Sequence, residues 1–215
     1  MALDVSKASK QSGGPVSKVN LSKSSSTVNL TKGASKLMVN LNWDQEVGKV
    51  VKKGLFGGIK KSGGIDLDLG CLFELKDGRK GAVQALGNAF GSFNNAPFVN
   101  LDKDDRTGSS TDGENLFING AQIDQISRIL VYAFIYDGAP SWDQAKGIIT
   151  IKQGTGPDII INIDEPGSNK IMCALAMISN EAGTFKVKRL VEYYAGHEYM
   201  DKAHNWGMKW VAGRK

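Results

Sequence analysis

The stretch Ile65-Asp66-Leu67-Asp68-Leu69-Gly70-Cys71-Leu72-Phe73-Glu74-Leu75, followed by Lys76-Asp77-Gly78-Arg79, decides the fold. Side chains of an extended strand alternate between two faces. Ile65, Leu67, Leu69, Cys71, Phe73 and Leu75 therefore share one side, and the Asp77-Gly78 pair suits a two-residue type I′ hairpin. Working outward, Leu37, Val39, Leu41 and Trp43 alternate with Met38, Asn40 and Asn42, and the same period returns at Ile171, Cys173, Leu175 and Met177. Ile129 to Tyr136 is apolar throughout and reads as a central strand buried on both faces. Ile148 to Lys152 and Ile159 to Ile163 flank the turn signal Gly154-Thr155-Gly156-Pro157, and Asn180 to Gly183 turns the chain into Phe185 and Val187. Short strands joined by turns, without long helices between them, predict an all-β antiparallel sandwich. Short helical pieces are expected near Ala121 to Ser127 and, toward the C-terminus, Glu198 to His204.

With 215 residues, 41% of them hydrophobic, the chain can bury one core, and a single domain over 27–215 is expected. Residues 1–26 are rich in Ser, Lys and Gly and poor in branched or aromatic side chains, so they read as a disordered tail or linker. That tail holds Lys7, Lys10, Lys18 and Lys23 against Asp4, which places +3 of the formal +5 charge there and leaves +2 for the remainder. The basic balance therefore describes the tail, and no specific nucleic-acid partner is expected. No apolar run is long enough to cross a membrane as a helix, and the N-terminus lacks the apolar stretch of a secretory signal, so a cytoplasmic location is expected. Cys71 and Cys173 fall at apolar strand positions and read as buried free thiols.

Two acidic features carry the functional reading. Asp66 and Asp68 lie two apart on a strand and so point to the same face, their α-carbons roughly 6 to 7 Å apart. The second feature is Asp102-Lys103-Asp104-Asp105-Arg106-Thr107-Gly108-Ser109-Ser110-Thr111-Asp112-Gly113-Glu114, a loop of acids interleaved with small residues. Calcium takes six to eight oxygens at about 2.3 to 2.6 Å, and a cation would relieve the repulsion among these carboxylates. The loop is not an EF-hand, because a register begun at Asp102 puts Thr107 where glycine is needed and Gly113 where the bidentate acid belongs. A solvated loop, with Lys103 and Arg106 neutralising part of the charge, fits the residues equally well.

Taken in order, several segments resemble the TerD-type tellurite-resistance and stress-response family. These are Val28-Asn29-Leu30-Thr31-Lys32-Gly33, Leu41-Asn42-Trp43-Asp44, Asp66-Leu67-Asp68-Leu69, Asn94-Asn95 and Asp104-Asp105-Arg106-Thr107-Gly108, and together they span roughly Thr27 to Gly207. The resemblance implies a β-sandwich that binds calcium at one end, no catalytic activity, and partners among other proteins of the same stress-response system. It implies Asp66, Asp68, Asp104 and Asp105 as calcium ligands, with Asp112 and Glu114 in the place of a further acidic run. Ser109-Ser110-Thr111 interrupt that run, so one good site is expected and a second is doubtful. A metal-independent scaffold or membrane-associated adaptor of the same fold is the alternative.

The stretch between Trp43 and Ile65 is enlarged relative to that pattern. It carries Lys49, Lys52, Lys53, Lys60 and Lys61 around Leu55-Phe56-Gly57-Gly58-Ile59. From Lys49 to Lys61 a basic, apolar-tipped hairpin could touch an anionic membrane, although a solvated hairpin suits it better. His197 and His204 have no zinc spacing and read as surface or capping residues. Neither a phosphate-binding G-x-x-x-x-G-K-[ST] loop nor a G-x-S-x-G elbow is present, so the chain is expected not to be an enzyme. Trp142, Trp206 and Trp210 read as packing residues.

Overall fold

The computed structural model describes residues 17–44, 51–53, 59–61, 65–102, 113–137, 142–163 and 169–211. Two packed sheets form a sandwich. One contains β1 (Lys18–Leu21), β3 (Lys36–Asn42), β8 (Gly91–Ser92), β9 (Val99–Leu101), β10 (Glu114–Asn119), β12 (Gly147–Lys152) and β13 (Asp158–Ile163), in the order β1-β13-β12-β3-β10-β9-β8. The other contains β2 (Thr27–Asn29), β6 (Asp66–Leu75), β7 (Lys80–Val83), β11 (Ile126–Asp137), β14 (Met172–Glu181) and β15 (Thr184–Tyr194), in the order β2-β15-β14-β11-β6-β7. We refer to them as the β3 sheet and the β11 sheet. A ribbon of β4 (Val51–Lys53) and β5 (Ile59–Lys61) stands apart, inside the enlarged stretch. The side chains of that stretch lie outside the described residues. Helices α1 (Trp142–Ala145) and α2 (His197–Ala203) and 3-10 turns at Leu86–Asn88 and Gly120–Gln125 complete the chain.

The period-two pattern sets the core as expected. Leu37, Val39 and Leu41 of β3 meet Leu67, Leu69 and Cys71 of β6 between the sheets, together with Ile149, Ile151, Ile159 and Ile161. Strand β11 is apolar on both faces because it is covered twice. Ile129, Val131 and Ala133 enter the inter-sheet core, while Leu130, Tyr132 and Phe134 pack with Met200 and Trp206 on the outer side. Both cysteines are buried and free, and burial pushes the Cys71 thiol up to about 12.

Three local readings are corrected. Lys18–Leu21, expected in the tail, is a strand paired in parallel with β13, and Leu21 is buried. Its Leu and Val alternate with Lys and Asn, a pattern too short to stand out in a Ser/Lys-rich stretch. The β6–β7 turn is not type I′, which needs positive φ at both central residues. Only Gly78 has it (φ 87°), and Leu75 N–H donates to Arg79 O at 2.9 Å, so the loop is longer by one residue. The type I′ dihedral signs occur instead at Ala182 (φ 50°) and Gly183 (φ 77°), between β14 and β15. Finally, a bulge between Ala174 and Ala176 shifts the phase of β14. Cys173 and Leu175 face the core, but Ala176 and Ile178 then take over, Met177 moves to the outer side and Ile171 is 44% exposed.

Candidate functional site

The acidic loop is the connection of the β9–β10 hairpin. Leu101 pairs with Leu116, and Asp102 N–H donates to Asn115 O at 2.9 Å. Asp104, Asp105 and Asp112 lie outside the described residues; the stem of the loop is fixed at Gly113. Gly113 sits at φ 67°, where a Cβ would lie 2.0 Å from Leu41 O. Only glycine lets β10 begin this close to β3.

The next residue, Glu114, is the informative one. Strand β7 pairs with β6 only as far as Cys71 opposite Val83, so the Leu69 N–H on that side of β6 has no strand to meet. Glu114 reaches across the sandwich and accepts this N–H with Oε2 at 2.6 Å. Its carboxylate is thereby anchored at the Asp68–Leu69 peptide, and both Glu114 and Asp68 are 1% exposed. Each carboxylate has polar partners, while one oxygen of each, Asp68 Oδ2 and Glu114 Oε1, lies buried outside any hydrogen bond. Glu114 comes to this peptide link from the inter-sheet side and Asp68 projects from the outer side of β6, so a buried carboxylate stands on either face of the strand, where water screens charge poorly.

Asp66 is half-buried at the start of β6, and its register partner on β11 is Asp137. Trp43 ties the same end together, donating from Nε1 to Ile65 O at 2.9 Å. The structure thus brings Asp66, Asp68 and Glu114 to one end of the sandwich, with the Asp102–Gly113 loop rooted beside them. Among the described residues no group of three His, Cys, Asp or Glu side chains is gathered closely enough to hold a metal. A cation here would draw its remaining oxygens from 103–112.

Asp68 also looks toward the outer face of the β11 sheet. Gly70, its neighbour on that face, leaves room for the Tyr132 ring, whose atoms would lie 2.6 Å from an added Cβ. Tyr132 Oη donates to Gln84 Oε1 at 2.5 Å, and His197 Nε2 is 3.0 Å from the same oxygen. His197, read as a surface or capping residue, is the first residue of α2 and is half-buried. Its ring packs against Tyr132, Phe134 and Trp210, and burial pulls its pKa down to about 4. Burial likewise raises the Tyr132 hydroxyl well above its usual value, with Cys71 and Asp68 adding to the effect.

A histidine held neutral in the fold but protonated when unfolded makes the unfolded state bind more protons below its ordinary pKa of 6.5. The stability from burying neutral His197 is therefore complete above about pH 6.5 and lost as pH falls toward 4. The expected loss is on the order of 2 to 3 kcal/mol. Urea unfolding at a series of pH values should show this slope, and His197→Gln should flatten it; an unchanged slope in the variant would exclude His197 as its source.

Helix α2 and the segment after it are clamped to the β11 sheet. Asp201, 4% exposed, accepts from Gly207 N at 2.7 Å, Met208 N at 2.8 Å and Trp210 Nε1 at 2.7 Å. Arg128 pairs with Glu74 at 2.6 Å and lies 4.0 Å over the Trp206 ring. Trp142 and Trp206 are buried packing residues, as expected.

No family model matches the chain. It is 43% identical over 203 residues to tellurium resistance protein TerA of an Alcaligenes species, a match covering 93% of this chain and 59% of that protein. The chain thus spans little more than half the length of that relative. Two solved structures share the fold. One is of a protein of unknown function, with a TM-score of 0.55 and 13% identity over 77% of this chain and 92% of the other. The second is a homologue of telluride resistance protein (TerD) from Streptomyces coelicolor A3(2), with a TM-score of 0.51 and 16% identity over 79% of this chain and 95% of the other. With 43% identity to a tellurium resistance protein over 93% of its length, and with its sandwich shared by the solved TerD homologue, the chain belongs to the TerA/TerD-type tellurium-resistance family.

Proposed function

We propose that the chain is a non-enzymatic calcium-binding module of a bacterial tellurium-resistance and stress-response system, in which the ion orders the loops at one end of the sandwich for contact with partner proteins. The observation that supports this reading is the anchoring of the Glu114 carboxylate at the Asp68–Leu69 peptide, with the Asp68 carboxylate buried on the other face of the same strand. Hard oxygens, carboxylates concentrated within one loop of the sequence and a scarcity of histidine and cysteine suit calcium better than a softer metal. Asp66, Asp68 and Glu114 would supply ligands from the strands, and Asp104, Asp105 and Asp112 would supply them from the loop. Calcium would neutralise the buried carboxylates and fix the hairpin; it would supply no reaction chemistry. The partners are other proteins of the same system, reached in the cytoplasm. A second reading, a metal-independent scaffold or membrane-associated adaptor, draws on the absence of a three-ligand cluster among the described residues.

Calcium titration by calorimetry, paired with thermal melts, separates the two. At free calcium a hundredfold above Kd the fold should gain about 2.7 kcal/mol. For a chain of this size that raises Tm by roughly 5 to 10 °C. Asp68→Asn with Asp104→Asn should remove the gain. Glu114→Gln should change sign with conditions: in chelator it relieves buried negative charge and melts at or above the wild type, whereas in calcium it melts below. Neither binding nor a shifted melt at millimolar calcium would end the metal reading and favour the scaffold.

A further inference from the structure

The two outer faces of the sandwich differ. That of the β11 sheet buries Leu72, Leu130, Tyr132 and Phe134 under α2 and Trp206. That of the β3 sheet has no such cover among the described helices, since α2 packs on β14 and β15 and α1 sends Trp142 and Ala145 into the inter-sheet core. Alternation with the buried residues puts Asn20, Asn40, Asn42, Asn100, Asn115 and Asn162 all on this open face. Asparagine is depleted in strands, so this density is not what strand stability selects. The amides are organised across strands: Asn40 faces Asn115 in register and donates to its Oδ1 at 2.9 Å.

The register lays out the face in rows. Asn162, Ile148 and Asn42 form one row, and Asn20, Ile160, Thr150, Asn40 and Asn115 the next. The residues named in these rows are uncharged, and Ile148 is 42% exposed. Charge enters at both ends: exposed Asp102 stands beside Asn115 at one, and Lys18, Asp158, Lys152 and Lys36 lie toward the other. There Lys36 lies 4.2 Å over the Phe117 ring.

We propose that this face is the interface with a second copy of the chain. An isologous contact requires a surface complementary to itself. Amides satisfy this because each carries both a donor and an acceptor, whereas a field of one charge would repel its own copy. A two-fold axis in the plane of the sheet and perpendicular to the strands brings the uncharged rows together. It lays each lysine row away from its counterpart. The size also fits. Seven strands at about 4.8 Å spacing and five or six residues at about 3.3 Å give on the order of 500 to 600 Å² in projection. Side-chain relief brings this near the roughly 800 Å² per partner of a standard interface.

Sedimentation equilibrium of the full chain, with and without calcium, tests this. The wild type should run at twice its 23.1 kDa mass. Ile148→Lys and, separately, Asn162→Lys should run at the single-chain mass with unchanged circular dichroism and melting, because both side chains are exposed. Lys188→Glu, on the other sheet, should leave the dimer intact. A wild type that stays single up to millimolar concentration overturns the proposal. So does a dimer that survives both face variants, which would place the contact elsewhere, or shielding of Ile148 that requires some other added molecule.

Discussion

Gly113→Ala should lower the stability of the fold by about 3 to 5 kcal/mol, a loss of roughly 10 °C or more in Tm. Two costs combine. A non-glycine residue in the left-handed region costs about 1 to 2 kcal/mol by itself. The new methyl would also meet Leu41 O at 2.0 Å and Asn42 Cα at 3.2 Å, both backbone atoms that cannot swing aside. Strand β10 would have to retreat from β3, carrying Glu114 with it and lengthening its bond to Leu69 N. Gly154→Ala is the matching control, since Gly154 has φ 76° but no atom within 4 Å of the added carbon. It should cost only the dihedral part. Equal losses in the two variants would show that the close approach of β10 to β3 does not matter; the expected result is a larger loss at Gly113.

Asp201→Ala is expected to cost a similar amount, about 3 to 5 kcal/mol, through a different mechanism. A buried carboxylate that accepts three N–H groups holds the turn after α2 closed. Hydrogen bonds to a charged group contribute about 1.5 to 3 kcal/mol each, and such bonds do not add in full. Without the carboxylate, the Gly207 and Met208 amides and the Trp210 indole lose their acceptor. Trp206 and Trp210 then loosen from Phe73, Arg128 and His197. Hydrogen exchange should accelerate at 205–211 first, with tryptophan emission shifting to the red, while the amides of β3 and β12 stay protected. A loss below about 1 kcal/mol, or uniform acceleration across both sheets, would show that Asp201 is not the anchor of this segment.

The fold was legible because strand periodicity is a local property. Leu37 to Leu41 and Ile65 to Leu75 announce their buried faces in their own spacing, and the apolar run from Ile129 announces a strand covered twice. What failed was set by geometry between strands. The bulge that re-phases β14 at Leu175 answers a matching irregularity in β15, where Val191 has φ 54°. No property of Met177 itself reveals that it changes sides. The same division runs through the site. Asp66 and Asp68 were readable as a pair on one strand. Glu114 stood only as one acid among several, because its importance comes from β7 stopping short at Cys71 and leaving a backbone N–H to be taken. Asp137, paired in register with Asp66, and His197, enclosed by three aromatic rings, are likewise products of topology.

Lys18 to Leu21 of β1 pair with Asp158 to Ile161, which are translated well after them. Strand β2 likewise awaits Lys186 to Lys188 of β15. One outer strand of each sheet is therefore contributed by a short segment that has nothing to pair with until β13 and β15 are made. Until then β13 and β15, on opposite sheets, each present an open row of backbone donors and acceptors, the kind of edge that invites pairing between chains. Closure over so long a loop is slow. The vulnerable moment in the life of this protein is thus the interval between completing β15 and recovering β1 and β2, and a truncation removing 17–30 should be felt as aggregation during expression.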